Sequence, residues 1–174
     1  DYGFLSDGEV TALVAPGGDI HWMCLPRLDS PRIFGALLGR HAGRFCVKPA
    51  DVSVPTARRY LPGTMVLETS WGTPTGWIIV RDVLLIGPWH SEERRTHTHR
   101  RAPTDYDAEH TLLREVRCVN GEVQLTMDCE PVFNYGRNFG QWEYRGEGYR
   151  QGVCRSPESE VELTLSGDIN IGFE

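Results

Sequence analysis

Apolar residues recur along this chain in short runs broken by Gly, Pro, Asn and Asp, and no stretch carries the three-to-four spacing of a long amphipathic helix. The runs predict strands. Glu9–Ala15 leads into the turn Pro16-Gly17-Gly18-Asp19, and Ile20–Leu25 returns. Further strands are predicted at Gly43–Pro49, Val54–Tyr60, Met65–Trp71 and Trp77–Leu85, the last two joined through Gly72–Gly76. Ile33–Leu38 is mixed and predicts one short helical turn ending near Gly39. Leu113–Val119 and Glu122–Glu130 flank Asn120-Gly121, a pair suited to a type I′ turn. A hairpin there pairs Cys118 with Val123 and Val116 with Leu125 on one face, and Arg117 with Gln124 and Glu115 with Thr126 on the other. Gln141–Tyr144, Tyr149–Cys154, Val161–Leu165 and Ile169–Phe173 complete the set. The expected class is all-β, an antiparallel sandwich of two packed sheets.

Composition agrees with this picture. Gly and Pro (19 and 11 of 174 residues) suit a turn-rich fold, and the 17 aromatic residues (5 Trp, 6 Tyr, 6 Phe) exclude general disorder. The length is that of one domain, or of a piece of something larger. No apolar run is long enough for a membrane span, and no signal peptide opens the chain. Lys48 is the only lysine among 18 basic residues, and the net charge of −6 disfavours nucleic acid as a partner. Cys24, Cys46, Cys118, Cys129 and Cys154 are odd in number and scattered, which argues against a disulfide scaffold and predicts buried free thiols in a reducing, cytoplasmic setting.

One segment breaks the pattern. Gly87–His110 is polar, rich in Arg and His, and has no period, so it reads as a long loop. His90, His97, His99 and His110 with Glu92 and Glu93 suggest zinc, but Arg94, Arg95, Arg100 and Arg101 would repel a divalent cation. No metal is therefore expected, and the four arginines are candidates for binding a phosphate or carboxylate, set against an ordinary solvated loop. Asp128 and Glu130 leave one strand face at a separation of about 7 Å, as an inverting glycosidase would require, although solvated carboxylates on a polar face give the same pattern. Asp105–Glu109 reads as a loop edge. No nucleophile elbow or phosphate loop occurs. In Trp22–Pro31, two prolines, an Asp-Ser pair and Trp and Arg anchors mark either a structural corner or a contact surface, with Trp22, Pro26, Arg27, Asp29 and Ser30 as candidates. The residues by themselves supply no convincing catalytic set.

Several motifs carry a resemblance. Asp1–Gly8, Thr11–Val14, Gly18–Trp22 and Leu25-Pro26-Arg27-Leu28-Asp29-Ser30-Pro31 stand in order, followed by Arg58–Thr64, Val66–Thr69, Arg117–Val123 and Pro131–Arg137. Together they resemble the amino-terminal domain of glycoside hydrolase family 15, in its bacterial glucoamylase and trehalase branch. The Arg/His stretch and Thr104–Asp107 resemble the mycobacterial type. Leu28 departs from the Phe more often found there.

The resemblance implies a super-β-sandwich, a linker and an (α/α)6 barrel whose two glutamates act as general acid and base with inversion. Residues 1–174 would then be a single non-catalytic sandwich domain, truncated at its C-terminal end, without the barrel and with no catalytic residue of its own. The implied parent hydrolyses trehalose, or else α-glucans. The implied partners are its own barrel and a small sugar, with no nucleic acid, no membrane, and homo-oligomers allowed. The resemblance allows phosphate and magnesium to serve the full-length protein, and the density of rigid and anchor-type residues in Trp22–Pro31 makes that loop the expected contact at the barrel interface or substrate mouth. Two competing classes remain. One is a free-standing carbohydrate-binding module stacking sugars on Trp71, Trp77, Trp89 or Trp142. The other is a metal or phosphate sensor with its ligand in Gly87–His110.

Overall fold

The computed structural model describes residues 1–86 and 110–172. A six-stranded antiparallel sheet contains β1 (Gly3–Ser6), β2 (Thr11–Val14), β3 (Ile20–Cys24), β4 (Arg32–Phe34), β5 (Arg44–Pro49) and β10 (Leu125–Glu130), in the order β1-β2-β3-β5-β10 with β4 paired to β3. A four-stranded sheet runs β6 (Ala57–Tyr60), β7 (Leu67–Gly72), β8 (Gly76–Leu84) and β9 (Leu112–Gly121). Two short strands, β11 (Val132–Phe133) and β12 (Asn138–Phe139), make a ribbon. A three-stranded sheet consists of β13 (Gln141–Tyr144), β14 (Gln151–Arg155) and β15 (Leu163–Ser166).

The all-β reading is borne out, and the sheets pack as a sandwich. One buried cluster mixes Leu5, Ile20 and Phe45 of the six-stranded sheet with Leu67 and Leu84 of the four-stranded sheet and Cys154 of the three-stranded one. β8 shows why: Ile78, Val80, Asp82 and Leu84 are buried while the residues between them are half-buried, the alternation of a strand with one face inward. A second cluster gathers Trp71, Ile78 and Val80.

Asp82 breaks this inward apolar row, and its charge is met across the register by Arg114 of β9. The Arg114 Nε lies 2.8 Å from Asp82 Oδ1, with the two side chains 4% and 0% exposed. The same guanidinium donates to the Phe45 carbonyl at 2.8 Å and to the Gly18 carbonyl, and lies 5.0 Å from the centre of the Phe45 ring. A charge pair built within the four-stranded sheet therefore grips two backbone carbonyls of the six-stranded sheet.

On the outward face of the four-stranded sheet the register lines up Arg59, Glu68, Arg81 and Glu115, one from each strand. The carboxylate of Glu68 accepts from Arg59 at 2.7 Å and from Arg81 at 3.0 Å, and Arg81 reaches Glu115 at 3.4 Å. Opposite charges directly across strands reinforce the pairing.

Three local expectations are corrected. First, Asn120-Gly121 does not close a hairpin. β9 pairs with β8, Cys118 opposite Ile78 and Val116 opposite Val80, whereas β10 pairs with β5, Leu125 opposite Pro49. Of the two turn residues only Gly121 has positive φ (66°), and it lies against the Thr75 carbonyl. The chain thus passes from one sheet to the other, and β9 meets β8 where Arg114 finds its partner Asp82. Second, Ile33–Leu38 is not helical: β4 ends at Phe34, a turn follows, and Leu37 and Leu38 stand exposed. Third, residues 169–172 form no strand, although the Ile171 N–H donates to the Tyr149 carbonyl at 2.7 Å.

Breaking a buried pair strands a charge, so Asp82→Asn is expected to lower unfolding free energy by about 3–5 kcal/mol, with much of the loss recovered by Asp82→Leu combined with Arg114→Met; urea unfolding of the three chains checks this. The hydrogen bond from Arg59, together with Arg81, holds the Glu68 carboxyl below the usual carboxylate range against the opposing effect of burial. Its stabilisation is complete above the unfolded value of about 4.3 and is lost as pH falls through the lower folded one. The stability gap between wild type and Glu68→Gln should accordingly narrow on acidification to about pH 3; a gap that stays constant would contradict this assignment.

Candidate functional site

The Leu25–Pro31 loop projects from the end of β3, beside the turn that joins β1 to β2. Its first bond, Leu25–Pro26, is cis. The Arg27 N–H donates to Ser30 Oγ at 3.2 Å and the Ser30 N–H donates to the Arg27 carbonyl at 3.1 Å, so the tip is a closed turn. Arg27 and Asp29 pair at 3.1 Å with about three-quarters of each side chain in solvent. Such a pair adds little stability. Between them Leu28 is 59% exposed. Pro26 is exposed, while Trp22 and Ser30 are half-buried. Glu9, Arg27, Leu28 and Asp29 line a shallow pocket of about 560 Å³.

The neighbouring turn is held from inside. The buried Asp7 carboxylate accepts the Glu9 N–H at 2.9 Å and the Val10 N–H at 2.8 Å, an Asx-type turn. His110 Nδ1 sits 2.8 Å from the other Asp7 oxygen, and its Nε2 lies 3.8 Å from Glu9. This pairing joins residues far apart in sequence. Its one advance sign is the Ser6-Asp7-Gly8 turn signature, and nothing in the chain predicts that His110 meets it.

A larger cleft of about 890 Å³ opens behind the loop, lined among others by Pro26, Pro31, Phe34, Phe45, His110 and Trp142. The Trp22–Ser30 loop, Asp7 and His110 thus share one end of the sandwich. Of the other aromatic candidates, Trp71 is fully buried, Trp77 is 37% exposed on the opposite sheet, and Trp142 packs partly buried against the core. They do not form a common sugar-stacking platform. Trp89, His90, His97, His99, Arg94, Arg95, Arg100, Arg101 and Asp105–Glu109 lie outside the described residues.

The carboxylate pair on β10 is neutralised. Arg44, opposite Glu130 in the register, bridges Asp128 at 2.7 Å and Glu130 at 3.6 Å. Burial and then the nearby Asp128 raise the Glu130 carboxyl above its usual range. An arginine occupies the space between the two carboxylates that a glycosidic bond and its water would need. The five cysteines are free. Burial pushes the Cys46 and Cys154 thiols up to about 12, so neither is a thiolate nucleophile. No group of three or more His, Cys, Asp or Glu suited to a metal occurs among the described residues, and none of their helices is long and apolar enough to cross a membrane.

Residues 2–85 match the family described as trehalase-like, N-terminal, and the chain belongs with these domains. It is 54% identical to the trehalases of Mycolicibacterium smegmatis and Mycobacterium tuberculosis, over its whole length and 26% of theirs. With trehalase 1 of Sulfolobus acidocaldarius it shares 31% identity over 77% of this chain and 19% of that protein. The chain thus spans about a quarter of the length of the two mycobacterial relatives. No solved structure matches it significantly.

Asp7→Ala removes the acceptor of two backbone donors and of the His110 ring, and is expected to cost about 1–3 kcal/mol. Asp7→Asn, which retains one acceptor oxygen, should cost less. Thermal melts of both variants test this, and equal melting of Asp7→Ala and wild type would rule the turn out as a structural anchor.

Proposed function

We propose that this chain is the non-catalytic N-terminal domain of an inverting glycoside hydrolase that cleaves trehalose to glucose, and that it packs against and supports a catalytic barrel carried elsewhere in the same protein. The observation that carries this reading is the 54% identity to two trehalases over the whole of this chain and only 26% of theirs. The geometry supports the ancillary part: the paired carboxylates on β10 are bridged by Arg44, and the buried thiols stay protonated.

In this reading the Leu25–Pro31 loop is the contact to the barrel or the edge of the substrate mouth. Its tip is closed by two hydrogen bonds, so it loses little conformational entropy on docking, and it offers an exposed leucine between two exposed charges. Arg94, Arg95, Arg100 and Arg101 belong to the same proposal as a phosphate contact, with phosphate and magnesium acting on the full-length protein in the cytoplasm. Hydrolysis of α-glucans in place of trehalose is the alternative substrate.

The test is made on the full-length protein. Trehalose should be hydrolysed and residues 1–174 alone should be inactive. Arg27→Ala or Asp29→Ala should reduce activity or folding yield roughly tenfold, the scale of a lost interface or positioning contact. Wild-type behaviour of both variants removes the loop from the proposal, and turnover by the isolated chain overturns its non-catalytic role.

A further inference from the structure

The large cleft is bordered by the edge of β15, which sets it apart from an ordinary gap between side chains. Every residue from Glu158 to Ser166 lines it, and so do His110, Thr111 and Leu112 in succession. A strand that shows a cavity only one face contributes alternate residues; consecutive residues mean that the backbone edge itself faces the space. β15 has β14 as its one strand neighbour, and β9 has β8, among the described residues. All of β15 and Leu112, the first residue of β9, border the same cleft, and the two strands do not pair with each other among the described residues. The lining contributed by the six-stranded sheet is mostly apolar, with Met23 of β3, Ile33 and Phe34 of β4, Phe45 of β5 and Cys129 of β10, beside one charged residue, Arg32 of β4.

From this we infer that the cleft is a strand-acceptor slot, filled in the full-length protein by an extended segment of its own chain downstream of Glu174, which pairs with the edge of β15 and lays alternate apolar side chains onto the six-stranded sheet. The inference rests on the reading of this chain as one domain of a longer protein.

Three observations favour that occupant. A mostly apolar floor beside the open backbone edge of β15 suits a strand, which supplies apolar side chains and paired N–H and C=O groups together, better than it suits a sugar. Next, the last described residues are tied to the sheet that offers the free edge. Gly167 donates to the Arg150 carbonyl at 3.0 Å, and the Ile171 carbonyl accepts from the Tyr144 hydroxyl at 3.0 Å. Residues 167–171 therefore lie beside β13 and β14, in the sheet that carries β15. Finally, the matched stretch is only 26% of the mycobacterial trehalases, so proteins of this kind have ample chain to supply a strand.

Backbone hydrogen exchange, followed by mass spectrometry on the peptide covering residues 158–166, tests the slot without any substitution. The 174-residue chain and the full-length protein are compared under the same conditions, with the peptide covering β7 as the internal reference. Exchange of 158–166 should be roughly tenfold or more slower in the full-length protein while β7 is unchanged. Equal exchange of 158–166 in the two proteins overturns the inference. So does protection in the 174-residue chain that appears only with rising protein concentration, which would make a second copy the occupant, or only on adding trehalose, which would make it a sugar. Trehalose hydrolysis by the full-length protein is scored separately. Activity without protection refutes the slot alone, and protection without activity refutes the trehalase reading alone.

Discussion

The sandwich depends on one buried ion pair. Asp82 and Arg114 sit opposite each other in β8 and β9, and the guanidinium spans the core to the carbonyls of Phe45 and Gly18. A lone charge at either position would be expelled from the core. Together, with Arg114 donors also on two backbone acceptors, the pair is satisfied only when the two sheets lie in one alignment. Apolar packing alone tolerates sliding. A charged fork with fixed donor directions does not, so the register of the four-stranded sheet and its placement over β5 are set by the same residues.

That alignment in turn positions the end of the molecule that carries the Leu25–Pro31 loop. Once β9 is fixed against β8, its start places His110 against Asp7, and Asp7 holds the turn between β1 and β2 beside the Leu25–Pro31 loop. The loop keeps its own shape through Ser30, and its tip shows solvent an aliphatic residue between two charges. Elsewhere the charges are committed: Arg44 to Asp128 and Glu130, and Arg59 and Arg81 to Glu68.

The likeness to trehalases covers the entire chain but a quarter of the mycobacterial proteins. The chain belongs with trehalase-like N-terminal domains.

Much of this was legible in the chain. Alternating apolar positions and turn residues located β5, β7, β8 and β13 to within a residue or two, and the Gly17-Gly18 turn correctly joined β2 to β3. These features depend on neighbours in sequence, and the strand period alone reveals them. The motifs around Leu25–Pro31 also pointed to the family. Only the tertiary structure decided which strands pair across long separations. Asn120-Gly121 carried a strong local hairpin signal, yet β9 and β10 went to different sheets, and in one of them Arg114 found Asp82. The Asp7–His110 contact and the Arg44 bridge were hidden for the same reason: a sequence displays a residue's charge, whereas the partner that neutralises it arrives only when distant strands come together.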